Sequence, residues 1–153
     1  MLPAIFGLSG LTLTAEEVEL IRRADPLGFI LFARNIDNPQ QVKGLTDSLK
    51  TLTGRDNLPI LIDQEGGRVA RLVPPHWRVW PRALDFAPAY AQSPERGRAE
   101  AVCNDQALPL ELAALGISVN CAPVPDVPEH GVPHHLGATV FRPAPDLVAN
   151  LAA

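Results

Sequence analysis

The residues best suited to chemistry lie between positions 63 and 71. Asp63 directly follows the apolar segment 59–62, and the residues after it read Gln-Glu-Gly-Gly-Arg-Val-Ala-Arg. A carboxylate at the end of a strand can face the mouth of the sheet, and the two glycines allow close backbone approach or positive φ. Arg68 and Arg71 carry rigid guanidinium groups that can orient carboxylates or hydroxyls. The segment predicts a polar binding site; the alternative is an Asp63–Arg68 ion pair that only braces the loop.

Histidine and cysteine, two common metal ligands, give no recognisable metal site. His130, His134 and His135 place three imidazoles within six residues, which can bind zinc or copper, but no acidic or thiolate fourth ligand has a suitable spacing. Cys103 and Cys121 have no third or fourth cysteine nearby, so we expect both to be reduced and buried. We therefore predict no metal and no cofactor.

The composition indicates one globular domain. The chain has 153 residues, of which 46% are hydrophobic and 20% charged, with a formal net charge of −4. No basic stripe is present, so nucleic acid is not expected as a partner. The apolar stretches fall short of the roughly 18 residues needed to cross a bilayer, and no positive segment precedes the apolar amino terminus. We predict a cytoplasmic protein without a membrane segment.

Helix signals occur at four places. Thr14 and Glu17 have the spacing of a capping box, which predicts a helix that starts at Ala15 and stops before Pro26. Asn38 and Pro39 predict a second helix that runs to about Thr53 and ends at Gly54. A third is predicted from Ser93-Pro94 to Gly116, interrupted or kinked at Pro109, and the start of a fourth at 146–153.

Four short apolar segments, 3–8, 28–32, 59–62 and 117–122, predict strands between these helices. The alternation predicts an α/β fold with a right-handed parallel sheet. Two closures are compatible: an open doubly wound sheet, complete at this length, or an eight-unit barrel, which needs about 250 residues. Ligand sites lie at the carboxyl ends of the strands in both.

The longest loops follow the third and fourth predicted strands. Residues 63–92 read as one long irregular loop that holds both tryptophans. Trp77 and Trp80 could stack on sugar rings, but large side chains more often cover an apolar end of the core, and we favour that interpretation.

Three blocks carry a resemblance to a known family: 28–32 with Arg34-Asn35, 63–69 with Arg71, and 122–124 with Asp126-Val127. In this order and spacing they resemble the amino-terminal half of the glycoside hydrolase family 3 barrel. The similarity is greatest to the bacterial β-N-acetylhexosaminidase branch, which removes N-acetylglucosamine from cell-wall fragments. The resemblance implies a (β/α)8 TIM-barrel type of fold, with only about the first four βα units present in residues 1–153.

The resemblance also implies a ligand. In the family, the carboxylate and the arginine at the positions of Asp63 and Arg71 hold hydroxyls of the terminal sugar. An ionised carboxylate suits this task because it accepts two hydroxyl hydrogen bonds at once. The expected partner is therefore a small carbohydrate, a glycan that contains N-acetylglucosamine, and the implied role is in peptidoglycan recycling.

The chain departs from the family pattern in the segment 137–141. Thr139 stands where the family has a sugar-binding arginine, and Arg142 is out of register to replace it. The family's Lys-His pair, acid/base loop and aspartate nucleophile all fall beyond residue 153. Because a retaining glycosidase needs both a nucleophile and an acid/base, we assign no catalytic residue and expect the 153-residue chain alone to be inactive.

Other carboxylates could in principle replace the missing pair. Asp63, Glu65, Asp85 and Asp126 lie in or near loops at the expected mouth, and two of them about 5–5.5 Å apart would suit a retaining mechanism. Asp126 in an Asp-Val-Pro turn more often bonds its own backbone.

Three functional hypotheses remain open. The chain is part of a β-N-acetylhexosaminidase whose activity belongs to the complete barrel; or it is a non-catalytic or degenerate carbohydrate-binding relative; or it is a β-glucosidase-like member or a half-barrel that dimerises. Half a barrel leaves edge strands unpaired and an inner face uncovered, at Ile5, Ile30, Ile62 and Val119 or their neighbours. Self-association through these edges is therefore expected.

Overall fold

The structure, a computed structural model, describes residues 1–124. The strands are β1 (Leu2–Gly7), β2 (Pro26–Leu31), β3 (Ile60–Ile62) and β4 (Val119–Asn120). The helices are α1 (Ala15–Ala24), α2 (Pro39–Thr53), α3 (Ala87–Gln92) and α4 (Pro94–Ala114), with 3₁₀ turns at Ala33–Asn35 and Ala83–Phe86. All neighbouring strands pair in parallel, in the order β1-β2-β3-β4. The predicted α/β fold with a parallel sheet is confirmed.

The predicted caps start the helices where expected. Thr14 Oγ1 accepts a hydrogen bond of 3.1 Å from Glu17 N, and Glu17 Oε2 accepts one of 2.9 Å from Thr14 N. At α2, Asn38 Oδ1 accepts from Gln41 N at 3.0 Å, and Gly54 closes the helix with a φ of 67°. Each side chain satisfies amides that have no partner inside the helix. Local sequence alone therefore positions α1 and α2.

Strand register sorts the side chains onto two faces, since paired residues of parallel strands point to the same side. The helix-covered face carries Phe29 and its partner Ile60, and both are fully buried. The opposite face, called the open face below, carries Leu61, which pairs with Ile30 on one side and with Val119 on the other. Val119 is 38% exposed.

The predicted inner face, given as Ile5, Ile30, Ile62 and Val119 or their neighbours, takes a neighbour at one position. Ile62 is fully buried on the helix-covered face, and Leu61 takes its place on the open face beside Ile30. Side chains alternate along a strand, so an error of one residue in register moves a side chain to the other face.

Helices cover one side of the sheet. The core contains Phe29, Leu31, Ile60 and Ile62 from the strands, Ile21 from α1, Val42, Leu45 and Leu49 from α2, and Leu108 and Leu112 from α4. This layer holds β2 and β3 in place and so fixes where their carboxyl ends lie.

The predicted irregular loop 63–92 is wrong in its second half, where a 3₁₀ turn leads into α3. Arg82 and Asp85 form an ion pair of 2.6 Å at the start of the turn. The helix α3 then packs on α4 so closely that a methyl group on Gly97 would collide with the backbone of Tyr90. This tertiary contact supports a helix too short to be stable alone. Beyond it, α4 continues through Pro109 to Ala114.

Several residues named in the sequence analysis lie outside the described residues. They are Asp126, His130, His134, His135, Thr139, Arg142 and the segment 146–153.

Candidate functional site

The carboxyl ends of β3 and β4 place Asp63 next to Cys121. Leu61 and Val119 are register partners on the open face, and Asp63 and Cys121 each follow them by two residues. The Cys121 amide donates a 2.8 Å hydrogen bond to the Ile62 carbonyl, which continues the pairing beyond the strands. Because side chains repeat every two residues along a strand, both groups point to the open face.

Asp63 is joined to Arg71 by an ion pair. Arg71 Nη2 donates to Asp63 Oδ2 at 2.9 Å, and the two side chains are 25% and 24% exposed. The structure thus brings together the two residues predicted to bind a ligand. The ion pair that it shows at Asp63 is with Arg71, whereas the alternative prediction had named Arg68.

Arg71 offers a further donor. Its Nε is buried and has no hydrogen-bond partner among residues 1–124. Arg71 therefore holds Asp63 through one N–H rather than through the two parallel bonds of a guanidinium fork.

Gln64 fixes the backbone that carries Arg71. Its side chain is fully buried, and Oε1 accepts hydrogen bonds from Arg71 N at 2.8 Å and from Leu72 N at 3.0 Å. Gln64 Nε2 donates to the Leu72 carbonyl at 3.0 Å. The backbone of Gln64 in turn exchanges two hydrogen bonds with the Asn120 side chain, at 3.0 and 2.9 Å. Sequence reasoning missed both residues, although a polar side chain directly after a buried strand was a signal for Gln64.

The two glycines make the turn between Asp63 and Arg71 possible. Gly66 and Gly67 have φ values of 89° and 58°, in the left-handed region that glycine adopts at little cost. A methyl group on Gly66 would collide with the Pro81 carbonyl. The prediction that these glycines take positive φ and permit close approach is confirmed.

Of the other predicted carboxylates, Asp85 is held in an ion pair of its own. The ion pair with Arg82 holds the pKa of Asp85 below its ordinary value, so Asp85 is ionised at neutral pH. Asp126 lies outside the described residues, and Glu65 is half-buried. Asp63 itself is paired with Arg71.

Cys121 is half-buried beside Asp63, whereas Cys103 is exposed on α4. The prediction that both cysteines are buried is wrong for Cys103, which lies on the solvent side of its helix. Burial raises the pKa of the Cys121 thiol, and the charge of Asp63, a hydrogen bond to Asp63 and the charge of Glu65 raise it further. The thiol is therefore protonated at neutral pH.

Comparison with known proteins identifies the family. Residues 6–153 match the glycosyl hydrolase family 3 N terminal domain. The chain belongs to glycosyl hydrolase family 3. The family resemblance stated from the sequence is confirmed.

Individual family 3 proteins agree with this assignment. The chain is 36% identical over 150 residues to a beta-hexosaminidase of Alkalilimnicola ehrlichii and covers 98% of its own length but 42% of that relative. It is 31% identical to NagZ from Neisseria gonorrhoeae, solved in complex with N-trifluoroacetyl-D-glucosamine, with a TM-score of 0.89 over 99% of this chain and 45% of that one. A family 3 beta-N-acetylglucosaminidase from Paenibacillus is 32% identical with a TM-score of 0.83, over 97% of this chain and 27% of that chain.

The chain thus spans less than half the length of these relatives, and its fold corresponds to part of a family 3 TIM barrel. Its four parallel strands and the helices between them match part of that barrel, so the expected barrel type is confirmed over the expected open doubly wound alternative.

The two tryptophans are part of the hydrophobic core and are not presented on the open face. Trp77 and Trp80 are each only 7% exposed, and Trp80 Nε1 donates to Glu111 Oε2 at 2.7 Å. A ring enclosed in this way has no free face for a sugar, which confirms the interpretation favoured from the sequence.

Metal-ligand clusters and membrane-spanning helices are both absent from residues 1–124. No three His, Cys, Asp or Glu side chains in this range are grouped so that they could hold a metal ion. Nor is any helix in the same range long and apolar enough to cross a bilayer.

Proposed function

We propose that residues 1–153 form the amino-terminal half of a family 3 β-N-acetylhexosaminidase barrel, in which Asp63 and Arg71 bind the terminal N-acetylglucosamine of a glycan. The observation that carries the proposal is the 2.9 Å Asp63–Arg71 pair on the open face, at the carboxyl end of β3. That end of the strands is where TIM-barrel enzymes bind their substrates.

The pair has the chemistry that a sugar ring requires. Each hydroxyl of a sugar both donates and accepts a hydrogen bond, so a carboxylate acceptor beside a guanidinium donor can bind neighbouring hydroxyls. Hydrogen bonds to charged groups are the stronger ones. The ion pair also holds the carboxylate in place before the ligand arrives, which lowers the entropy lost on binding. N-Trifluoroacetyl-D-glucosamine in the Neisseria relative supports an N-acetylglucosamine type of ligand.

The reaction that we propose for the complete barrel is retaining hydrolysis of terminal β-N-acetylglucosamine from cell-wall glycans, as a step of peptidoglycan recycling in the cytoplasm. Such a reaction needs a nucleophile and an acid/base. Asp63 is engaged with Arg71 and Asp85 with Arg82, so we assign neither of them to these roles. We therefore propose that the 153-residue chain alone binds the sugar without hydrolysing it.

Titration calorimetry with N-acetylglucosamine tests the binding proposal. Asp63→Asn keeps the shape of the side chain but removes its charge, and we expect affinity at least about tenfold below that of the wild type. Asp85→Asn is the matched control, because it removes a carboxylate from another ion pair and leaves binding unchanged. No binding heat from the wild-type chain at millimolar sugar would refute the proposal. Equal affinity for glucose would favour the β-glucosidase-like alternative.

An aryl N-acetylglucosaminide tests the proposed lack of turnover. We expect no release of the aryl group by the purified chain. Turnover that disappears in Asp63→Asn would show that the chain contains a catalytic pair.

We also propose that the chain self-associates through its open face. Ile5 and Val119 are each 38% exposed there, and β1 and β4 are the edges of the sheet in residues 1–124. Exposed edges and apolar patches favour pairing with another chain. Light scattering should give twice the 16.5 kDa mass of the chain. A folded particle with the mass of one chain would contradict this.

A further inference from the structure

Arg71 holds the Asp63 carboxylate through a single hydrogen bond. The ion pair joins one oxygen, Oδ2, to one nitrogen, Nη2, and Arg71 Nε makes no hydrogen bond in the described part of the chain. A single contact of this kind leaves rotation about the Cβ–Cγ bond of Asp63 restrained on one side only. A second donor would fix the plane of the carboxylate.

Cys121 is placed to be that donor. The register of β3 and β4 brings it beside Asp63 on the open face, and its amide bond to Ile62, at 2.8 Å, holds its backbone there. The thiol is close enough to the Asp63 carboxylate for that carboxylate to raise the pKa of the thiol. A thiol can donate a hydrogen bond and an ionised carboxylate can only accept one, so in a contact between them the S–H group is the donor.

The surroundings of Cys121 keep its thiol in the donor form. Partial burial and the negative charges of Asp63 and Glu65 all raise the pKa of the thiol. A thiolate would be a poor neighbour for Asp63, because two like charges in contact repel each other. The same conditions argue against a nucleophilic role, for which a lowered thiol pKa is needed.

We propose that Cys121 is a positioning residue of the sugar site: its S–H group and Arg71 hold the Asp63 carboxylate from two directions, which leaves the remaining lone pairs of the carboxylate for sugar hydroxyls. This inference rests on the proposed function, since it assigns Cys121 a role in the same site. Cys121 acts through Asp63 and need not touch the sugar.

Two substitutions separate positioning from packing. Cys121→Ala removes the donor, whereas Cys121→Ser replaces the thiol with a hydroxyl that can donate to the same carboxylate. We expect Cys121→Ala to weaken N-acetylglucosamine binding about threefold to tenfold in calorimetry, the range of one modest net hydrogen bond, and Cys121→Ser to restore most of the affinity. Wild-type affinity in Cys121→Ala would overturn the proposal. An equal loss in Cys121→Ser and Cys121→Ala would also overturn it, because it would indicate packing alone.

Alkylation by iodoacetamide at pH 8 tests the Cys121–Asp63 contact without any sugar. The exposed Cys103 in the same molecule is the internal reference. Asp63→Asn removes a charge that disfavours the thiolate, so the rate at Cys121 relative to Cys103 should rise severalfold, while Asp85→Asn leaves the ratio unchanged. An unchanged ratio in Asp63→Asn, with the fold intact by circular dichroism, would overturn the contact.

The calorimetry and the alkylation experiment distinguish a failure of the proposed function from a failure of the positioning role. If the wild-type chain binds no N-acetylglucosamine, the proposed function is refuted, and the alkylation ratio still decides whether Cys121 holds Asp63. If the wild type binds and Cys121→Ala binds equally well, the proposed function stands and the positioning role is refuted.

Discussion

The two faces of the sheet are built from the same strands, but one face packs against helices and the other carries the candidate site. On the helix-covered face, Phe29, Leu31 and Ile60 are fully buried under helices. On the open face, Ile5 and Val119 are each 38% exposed. Both faces are apolar along the strands, and they differ in what covers them. The comparison shows that stability comes from one face, while the other presents Asp63 at its carboxyl end.

The largest effect should come from a matched pair of truncations on the two faces. Leu31→Ala empties a site on the helix-covered face and should lower the free energy of unfolding by about 3 kcal/mol. Ile5→Ala, on the open face, should lower it by about 1 kcal/mol or less, because the side chain is already partly in water. Urea unfolding measures both. The measurement is made at a concentration low enough to keep the chains separate, so equal losses there would contradict the difference between the two faces.

The second effect concerns the hydrogen bonds by which the buried Gln64 side chain holds the backbone of Arg71 and Leu72. Gln64→Met keeps the side-chain length but leaves the amides of Arg71 and Leu72 without their acceptor. We expect a loss of about 2 kcal/mol in unfolding free energy, together with weaker sugar binding because Arg71 is no longer fixed. Gln106→Met, at an exposed position of α4, is the control and should change neither quantity. Unchanged unfolding free energy in Gln64→Met would show that the Gln64 hydrogen bonds do not contribute to stability.

A smaller effect is expected at the first helix cap. Thr14→Ala removes the acceptor of the Glu17 amide and should cost about 1 kcal/mol of unfolding free energy. The measurement is again urea unfolding, and binding of N-acetylglucosamine should remain at the wild-type level. A loss of binding would show that α1 affects the sugar site, and it would contradict the assignment of stability to one face and of binding to the other.

The smallest effect is a pH dependence at Glu17. Burial alone would raise the pKa of this carboxyl, but hydrogen bonds from Thr14 and Ser9 outweigh it and hold the pKa below the ordinary value of a glutamate. A carboxyl with a lowered folded-state pKa stabilises the protein above its unfolded-state pKa, and the stabilisation is lost as pH falls through the folded-state value. Glu17→Gln should therefore reduce the loss of stability in acid. An identical acid profile in the variant would contradict this.

Sequence predicted the features that are set locally. Thr14, Asn38 and Gly54 mark helix ends because capping depends on residues within one turn, and the structure confirms each of them. The parallel α/β fold followed from the alternation of such elements. Asp63 and Arg71 were named through the family resemblance, and their contact follows from the turn at Gly66 and Gly67.

Features that depend on distant parts of the chain were missed. Gln64 and Asn120 exchange hydrogen bonds across 56 residues of sequence, which no local pattern indicates. The face of Ile62 could not be read from a short strand that is apolar throughout, because alternation is hidden in such a run. The helix α3 was missed because its packing on Gly97 supports it.

Chemical-shift mapping of the 153-residue chain with N-acetylglucosamine tests the central claim most directly. We predict that amide shifts cluster at Asp63, Arg71 and Cys121, at the carboxyl end of the open face, while Phe29 and Ile60 on the helix-covered face remain unchanged. Saturable shifts confined to residues away from Asp63 and Arg71, or no shifts at millimolar sugar, would contradict the account.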